Sequence, residues 1–163
     1  MTDASIGTDG ASPPRADDLE RMVAIDWAHT GQSRLRFFEK RLRAAELHPR
    51  DFVHVGVRHK GALVGFAFAR LLHGEFGRDD TVAVLDVLGV EPGSQDLGFG
   101  HALMDSLVDA MRQRGVRLMQ SQAEWTAFDL LKYFASTGFR LAPRLVLERS
   151  VAVPLDEPDD DEE

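Results

Sequence analysis

The chain has 163 residues, of which 44% are apolar, and it carries a formal net charge of −8. This size allows one buried core and is too small for two ordinary domains. Because there is no cysteine, disulfides, thiolate catalysis and cysteine-ligated metal are excluded. The sequence has no long apolar run and no signal-peptide pattern, so we expect a cytoplasmic protein without a membrane partner.

The negative charge is concentrated in residues 156–163, which hold seven carboxylates and leave about −1 for the rest of the chain. Such a tail cannot bury enough apolar surface to become ordered. Nucleic-acid binding needs a basic patch, so the charge argues against a nucleic-acid partner. We predict a disordered or extended segment over residues 1–15, a single domain over 16–152 and an acidic disordered tail over 153–163.

The first half of the domain has the pattern of two helices followed by three strands. Apolar residues three and four apart predict helices over about 17–27 and 32–47. Apolar runs over 52–57 and 63–68 flank a glycine-containing turn and predict a β-hairpin. A third, largely apolar strand follows over residues 82–90.

The second half begins with the strongest helical pattern of the chain, over residues 98–114. A strand over 116–122 and a helix over 126–137 follow it. Two terminal strands are predicted from the alternation over 139–141 and 145–151.

The loop that opens the helix at residue 98 carries the most specific signal. Residues 95–100 read Gln-Asp-Leu-Gly-Phe-Gly and follow directly on the apolar strand. A helix N-terminus attracts anions through its free N–H groups, and Gly98 and Gly100 allow a ligand to approach the backbone. A dinucleotide fingerprint needs three glycines, and a Walker loop needs Gly-Lys-Ser/Thr, so neither of these fits.

This loop resembles motif A of the GNAT N-acetyltransferase superfamily, which has Gln or Arg, two residues, Gly, one residue, and Gly or Ala. The resemblance implies an α/β (α+β) fold with a mixed, mostly antiparallel central sheet, helices on both faces and a V-shaped opening after the motif-A strand. It also implies acetyl-CoA as co-substrate, with the loop amides on its pyrophosphate and the strand along its pantetheine arm. By position, the implied cofactor contacts are Leu88, Gly89, Val90, Gln95, Asp96, Leu97, Gly98, Phe99, Gly100 and His101. The family's usual first strand is missing from our prediction, because Pro13 and Pro14 cannot donate ladder hydrogen bonds.

Residues 130–139 resemble the family's motif B, a helix that ends in Gly-Phe and packs beside the CoA arm. In many members, a tyrosine four residues before that glycine protonates the departing thiolate. Here Phe134 occupies that place and is expected beside the cofactor, while the single tyrosine, Tyr133, lies one residue earlier, about 100° around the helix. Tyr133 is therefore either the acid or a tyrosine packed half against the core.

Acyl transfer to an amine also requires a base that removes a proton from the ammonium group. Asp86 is the first candidate, because strand alternation puts it on the face of Leu88 and Val90 unless a bulge shifts the phase. The alternative is a carboxylate paired with an arginine. His54 and Glu124 are further candidates for the base. The histidine spacing indicates no metal site.

The sequence therefore predicts an N-acetyltransferase that transfers the acetyl group of acetyl-CoA directly to a primary amine. The acceptor, a small molecule or a protein, is not readable from the sequence, and homodimer formation is left open. The alternative is a sensor or partner module of the same fold that binds acyl-CoA without turning it over.

Overall fold

The computed structural model describes residues 9–152, except for the side chain of Gln95. The acidic tail over 153–163 and residues 1–8 of the predicted N-terminal segment lie outside the described residues. The predicted domain boundaries accordingly remain predictions.

Four helices and five strands make up the described part of the chain. The helices are α1 (Leu19–Thr30), α2 (Leu35–Leu47), α3 (Phe99–Gln113) and α4 (Phe128–Ser136). The strands are β1 (Ala11–Ser12), β2 (Phe52–His59), β3 (Ala62–His73), β4 (Thr81–Val90) and β5 (Leu118–Ser121). Short 3-10 turns precede α1, join β3 to β4, and fill the loop at Pro92–Leu97 before α3.

The five strands form one sheet in the order β1-β2-β3-β4-β5. The first three pairings are antiparallel, and only β4 and β5 run parallel, with α3 as the crossover between them. The prediction of a mixed, mostly antiparallel sheet is thereby confirmed.

Two buried clusters cover the opposite faces of this sheet. Alternate residues of β2, such as Val53 and Val55, pack in one cluster with Phe99 and Leu103 of α3. Phe66 and Phe68 of β3 pack in the other with Met22 of α1 and Phe38 of α2. The period-2 alternation of the strands thus gives each face its own apolar set and places helices on both faces.

Two predictions at the ends of the domain were wrong. The first strand is present, because Ala11 and Ser12 pair with Val57 and Gly56 of β2 just before the two prolines. The terminal strands over 139–141 and 145–151 are absent, and this stretch has no regular secondary structure. A strand forms only where a partner supplies the ladder hydrogen bonds, and alternation alone does not provide that partner. Within residues 9–152, no helix is long and apolar enough to cross a membrane.

Candidate active site

The site lies where β4 and β5 separate. Their parallel pairing runs from Val82 with Leu118 to Leu85 with Ser121 and stops there. Strand β4 continues to Val90 alongside β3 alone. The hydroxyl of Ser121 donates to the carbonyl of Leu85 at 3.0 Å and closes the paired end. Beyond it, the β5-facing edge of β4 has no strand partner among the described residues, which is the predicted V-shaped opening.

A β-bulge lies at the start of this opening. Phe68 pairs with Val87 and Ala69 with Leu85, so Asp86 is the extra residue of β4. Val87 belongs to the cluster under α1 and α2, whereas Leu88 packs in the cluster under α3. The bulge therefore shifts the alternation by one residue.

Asp86 faces α2 as a consequence, so the exception allowed for a bulge applies and Asp86 does not share a face with Leu88 and Val90. Its Oδ2 accepts from Nε of Arg70 at 2.8 Å and lies 3.0 Å from a terminal nitrogen of Arg41. Its Oδ1 has one contact, 3.1 Å from the same Nε of Arg70. The side chain is only 11% exposed, and two guanidinium groups balance its charge. The alternative of an arginine-paired carboxylate therefore describes its surroundings.

The two other candidate bases lie in different environments. His54 stacks on Phe68 with ring centroids 3.9 Å apart, on the same face as Asp86. Burial, with a smaller effect of the Arg41 charge, lowers the pKa of His54 to about 4, so this imidazole is neutral at pH 7. Its buried Nε2 has no hydrogen-bond partner among the described residues. Glu124 is exposed in the connection after β5.

The glycine loop forms one end of the opening. Gly98 has a φ of +80°, a left-handed conformation that favours glycine, and it immediately precedes α3. The amide of Ala102 donates to the carbonyl of Gly98 at 3.1 Å, which is the first hydrogen bond of α3. The amides of residues 99–101 therefore come before the first bonded turn of the helix. They lie at the positive end of a 15-residue helix. A Cβ at Gly98 would meet no atom within 4 Å, so the backbone there is open to a ligand, which fits a pyrophosphate group.

A polar network that the sequence analysis missed fixes this loop to α1. Nε of Arg21 donates to the carbonyl of Leu63 at 3.0 Å, and its terminal nitrogen donates to Glu91 at 2.5 Å. The hydroxyl of Ser94 donates to the other oxygen of Glu91 at 3.3 Å. Glu91 thus joins α1, β3 and the loop. Arg21 and Glu91 lie 70 positions apart in the sequence, and no local pattern indicates that they are in contact, so only the fold reveals this ion pair.

His29, near the end of α1, was also missed. Its Nε2 lies 2.6 Å from the carbonyl oxygen of Val90, at the end of β4. Nearby, Arg34 binds Asp26, the one buried charged side chain in the described part of the chain. These contacts fix the end of α1 and the start of α2 beside the mouth of the opening.

Helix α4 contributes two of the three aromatic residues of motif B. Phe134 is buried in the same cluster as Val90 and Phe99, and its ring centroid is 4.7 Å from that of Phe139. The hydroxyl of Tyr133 donates to the carbonyl of Gly100 at 2.7 Å. A Cβ at Gly100 would lie 3.1 Å from the Tyr133 ring, so this glycine permits the contact. Tyr133 therefore packs α4 against the start of α3.

Replacing Tyr133 with phenylalanine separates packing from proton donation. Burial, with a smaller contribution from Asp105, raises the pKa of Tyr133 to about 12, and its proton is already donated to Gly100. We expect Tyr133→Phe to lower the free energy of unfolding by about 1 kcal/mol and to change kcat by less than about threefold. A loss of 100-fold or more in kcat would instead assign Tyr133 as the acid. Because it is the only tyrosine, ultraviolet absorbance reports its ionisation directly.

Among residues 9–152, no group of three or more histidine, aspartate or glutamate side chains is placed to hold a metal ion. The backbone of Gln95, Asp96 and Leu97 forms the 3-10 turn of the loop. His101 lies in the first turn of α3, with its ring centroid 6.4 Å from that of Tyr133. The structure thus brings the glycine loop, the end of β4 and α4 together around one opening.

Comparison with known proteins is consistent with this arrangement. Residues 18–139 match the model of the acetyltransferase (GNAT) family. Over 131 residues, 77% of this chain, the sequence is 30% identical to a mycothiol acetyltransferase of Propionibacterium freudenreichii subsp. shermanii. The chain spans about 41% of the length of that relative.

Solved structures of low sequence identity share the fold. The aminoglycoside N-acetyltransferase AAC(6')-Iy in complex with CoA has a TM-score of 0.72 at 19% identity, covering 91% of this chain and 99% of that one. A ribosomal-protein-alanine N-acetyltransferase of Brucella melitensis biovar Abortus 2308 has a TM-score of 0.68 at 21% identity, covering 88% of this chain and 100% of that one. From the family match, the glycine loop and the opening beside it, this chain belongs to the GNAT family of acetyltransferases.

Proposed function

We propose that this protein transfers the acetyl group of acetyl-CoA to a primary amine of a small-molecule acceptor. The observation that carries the proposal is the separation of β4 from β5 directly beside the glycine loop of α3. One ligand can reach both, with its pyrophosphate at the helix N-terminus and its thioester arm along the free edge of β4. The name of the mycothiol acetyltransferase, the relative at 30% identity, supports a small amine as the acceptor.

The chemistry requires one bond to form and one to break. The amine nitrogen attacks the thioester carbonyl, the C–S bond breaks, and the CoA thiolate leaves and takes up a proton. Free backbone N–H groups along residues 86–90 polarise the carbonyl. Direct attack agrees with a chain that has no cysteine nucleophile.

We assign Asp86 as the group that receives the ammonium proton, directly or through a water. It lies at the point where the two strands separate, and its Oδ1 has fewer contacts than Oδ2. A carboxylate has about four lone-pair sites, so two arginines leave room for a further donor. Arg41 and Arg70 hold the Asp86 carboxylate in one orientation. In many active sites, a neighbouring group orients the base in this way. His54 and Glu124 remain the alternative bases.

Two measurements test the proposal in sequence. A thermal melt with acetyl-CoA at about 100 times its dissociation constant should show stabilisation by about 2.7 kcal/mol, a shift of roughly 5–10 °C for this size. Release of the CoA thiol is then followed with a panel of amines. The panel comprises an aminoglycoside, the unacetylated precursor of mycothiol, a polyamine and a peptide with N-terminal alanine. An acceptor-dependent release above the hydrolysis rate supports the transferase.

The second candidate function is a module that binds acyl-CoA without turnover. The presence of Phe134 in the tyrosine position of motif B favours it, since a phenyl ring has no proton to donate. A thermal shift without CoA release for any amine would support this candidate. Absence of a shift at millimolar acetyl-CoA would contradict both.

A further inference from the structure

Several arginines of the described chain pair with carboxylates in the same way. In three ion pairs, one arginine uses two of its nitrogen atoms on one carboxylate, namely Arg34 with Asp26, Arg58 with Asp18 and Arg78 with Asp80. Such bidentate pairs are strong, because the planar fork of a guanidinium group matches the two oxygens of a carboxylate. In each of these pairs, the arginine has a carboxylate of its own.

The pairing at Asp86 departs from this arrangement. Arg70 contacts both oxygens of Asp86 through Nε alone, at 2.8 and 3.1 Å. Arg41 reaches Oδ2 with one terminal nitrogen at 3.0 Å. The terminal nitrogens of Arg70 make no hydrogen bond to another residue in the described part of the chain. Two guanidinium groups thus share one carboxylate, and the fork of Arg70 is unused.

The charges around Asp86 leave a surplus of one positive charge, because Arg41 and Arg70 face a single carboxylate. His54, on the same face of the sheet, is affected by this surplus. Burial lowers the pKa of His54 most, the charges of Arg41 and Arg114 lower it further, and the Asp86 charge opposes them with the smallest effect. One surplus charge matches a carboxylate better than a phosphate monoester, which carries about −1.5 to −2 at pH 7.

One buried polar atom beside this cluster also has no partner. Nε2 of His54 makes no hydrogen bond within residues 9–152, although it is close enough to Arg41 and Asp86 for their charges to change its pKa. Buried polar atoms are nearly always paired. The unpaired nitrogen and the unused fork therefore both indicate a polar ligand on this face of the sheet.

The two guanidinium groups are held in place and can be reached from solvent. The guanidinium carbon of Arg41 lies 5.3 Å from the centre of the Phe37 ring, a cation–π contact that fixes its position. The side chains of Arg41 and Arg70 are 24% and 39% exposed. Asp86 contacts both of them at the point where β4 leaves β5. A ligand at this point therefore meets the carboxylate and the fork of Arg70 together.

We propose that the acceptor is a free amino acid, with its ammonium group on Oδ1 of Asp86 and its carboxylate on the terminal nitrogens of Arg70. This inference rests on the proposed function, since it names the acceptor of the same site. Nε of Arg70 already contacts Asp86, so the terminal nitrogens lie one guanidinium width away. A ligand that reaches both groups therefore has its amine and its carboxylate on the same carbon or on adjacent carbons.

The carboxylate of the acceptor positions the amine and takes no part in the transfer. The ammonium proton passes to Asp86, the nitrogen forms a bond to the acetyl carbon, and the C–S bond breaks to release the CoA thiolate. Arg70 keeps its charge throughout and holds the acceptor while the amine attacks.

The first test compares acceptors that differ only in the carboxylate. Release of the CoA thiol is measured for the L-amino acids and β-alanine, and for the primary amide and the decarboxylated amine of each. We expect kcat/KM for at least one amino acid to exceed that of both analogues by about tenfold or more, because both lack the charged contact to Arg70. The two analogues bracket the amino acid in basicity, so amine reactivity alone cannot produce this order.

The outcomes of this comparison separate the two proposals. If the amides or the decarboxylated amines react as fast as the amino acids, the transferase stands and the inference of an amino acid fails. If acetyl-CoA binds and no amine of any kind releases CoA, both fail. Transfer to 2-aminoethyl phosphate that is faster than transfer to β-alanine would overturn the assignment of a carboxylate.

The second test removes the fork of Arg70 and measures the ratio of kcat/KM for the amino acid to kcat/KM for its amide. Any disturbance of Asp86 affects both substrates and cancels, so a fall of about tenfold in this ratio for Arg70→Gln reports the contact to the carboxylate. Arg70→Lys keeps the charge without the fork and should give an intermediate ratio. Arg78→Gln is the matched control, since Arg78 pairs with Asp80 before β4, and its ratio should not change. An unchanged ratio in both Arg70 variants, each shown to be folded by its melting curve, overturns the inference.

Discussion

Replacing Asp86 with asparagine is expected to lower kcat for acetyl transfer by at least about 100-fold, the effect of removing a general base. The amide keeps the size of the side chain and removes its ability to accept a proton. The dissociation constant for acetyl-CoA should change by less than about threefold, because the glycine loop and the end of β4 are untouched. Single-turnover rates and a binding titration measure the two effects separately.

The same substitution also has a structural cost, which must be separated from the chemistry. Arg41 and Arg70 lose their shared carboxylate, and both are partly exposed, so we expect about 1–3 kcal/mol lower free energy of unfolding. Asp80→Asn is the matched control, since Asp80 pairs with Arg78 on the surface. It should leave kcat unchanged. If Asp86→Asn keeps its kcat while losing stability, Asp86 has a structural role only. His54→Gln and Glu124→Gln then test the other bases.

Replacing Gly98 with alanine is expected to weaken acetyl-CoA binding by about tenfold or more, which corresponds to about 1.4 kcal/mol. At a φ of +80°, a Cβ costs roughly 1–2 kcal/mol. We expect the loop to change its backbone conformation to relieve this strain. The amides at the start of α3 then no longer point together toward the pyrophosphate. An isothermal titration with acetyl-CoA measures the loss.

Two alanine substitutions control for the side effects of this change. Gly115 lies beyond the far end of α3 with a φ of +74°, so Gly115→Ala carries the same backbone cost away from the loop. Gly93 lies in the loop without a positive φ and has open space around it. We expect Gly115→Ala to lower the melting temperature without changing the affinity for acetyl-CoA. Gly93→Ala should change neither the melting temperature nor the affinity. Weaker binding in Gly115→Ala would mean that general destabilisation explains the result for Gly98.

The sequence predicts much of this fold because its signals are local. The apolar spacing along α3 predicted a helix over 98–114, and the structure has it at Phe99–Gln113. Gly98 was singled out because it allows a ligand to approach the backbone of a loop that opens a helix. Such features depend on neighbours within one or two turns of the chain, so a single sequence contains them.

The features that escaped prediction depend on pairing between distant segments. The bulge at Asp86 results from the register between β3 and β4, and neither strand alone encodes it. The arginines that hold Asp86 come from α2 and β3, and Arg21 reaches Glu91 across 70 positions. The predicted terminal strands were wrong for the same reason, because alternation along residues 139–151 does not determine which strand supplies their ladder hydrogen bonds, and none pairs with them in the described structure.

The two prolines after β1 limit how far another strand can extend the sheet at this border. Ala11 and Ser12 cover part of the outer edge of β2, and Pro13 and Pro14 follow with no N–H to offer a further strand. This border of the sheet therefore lacks a continuous row of backbone donors. A sheet with two receptive borders could stack copy upon copy into a fibre. The prolines therefore remove one of the two borders at which copies of the sheet could join edge to edge.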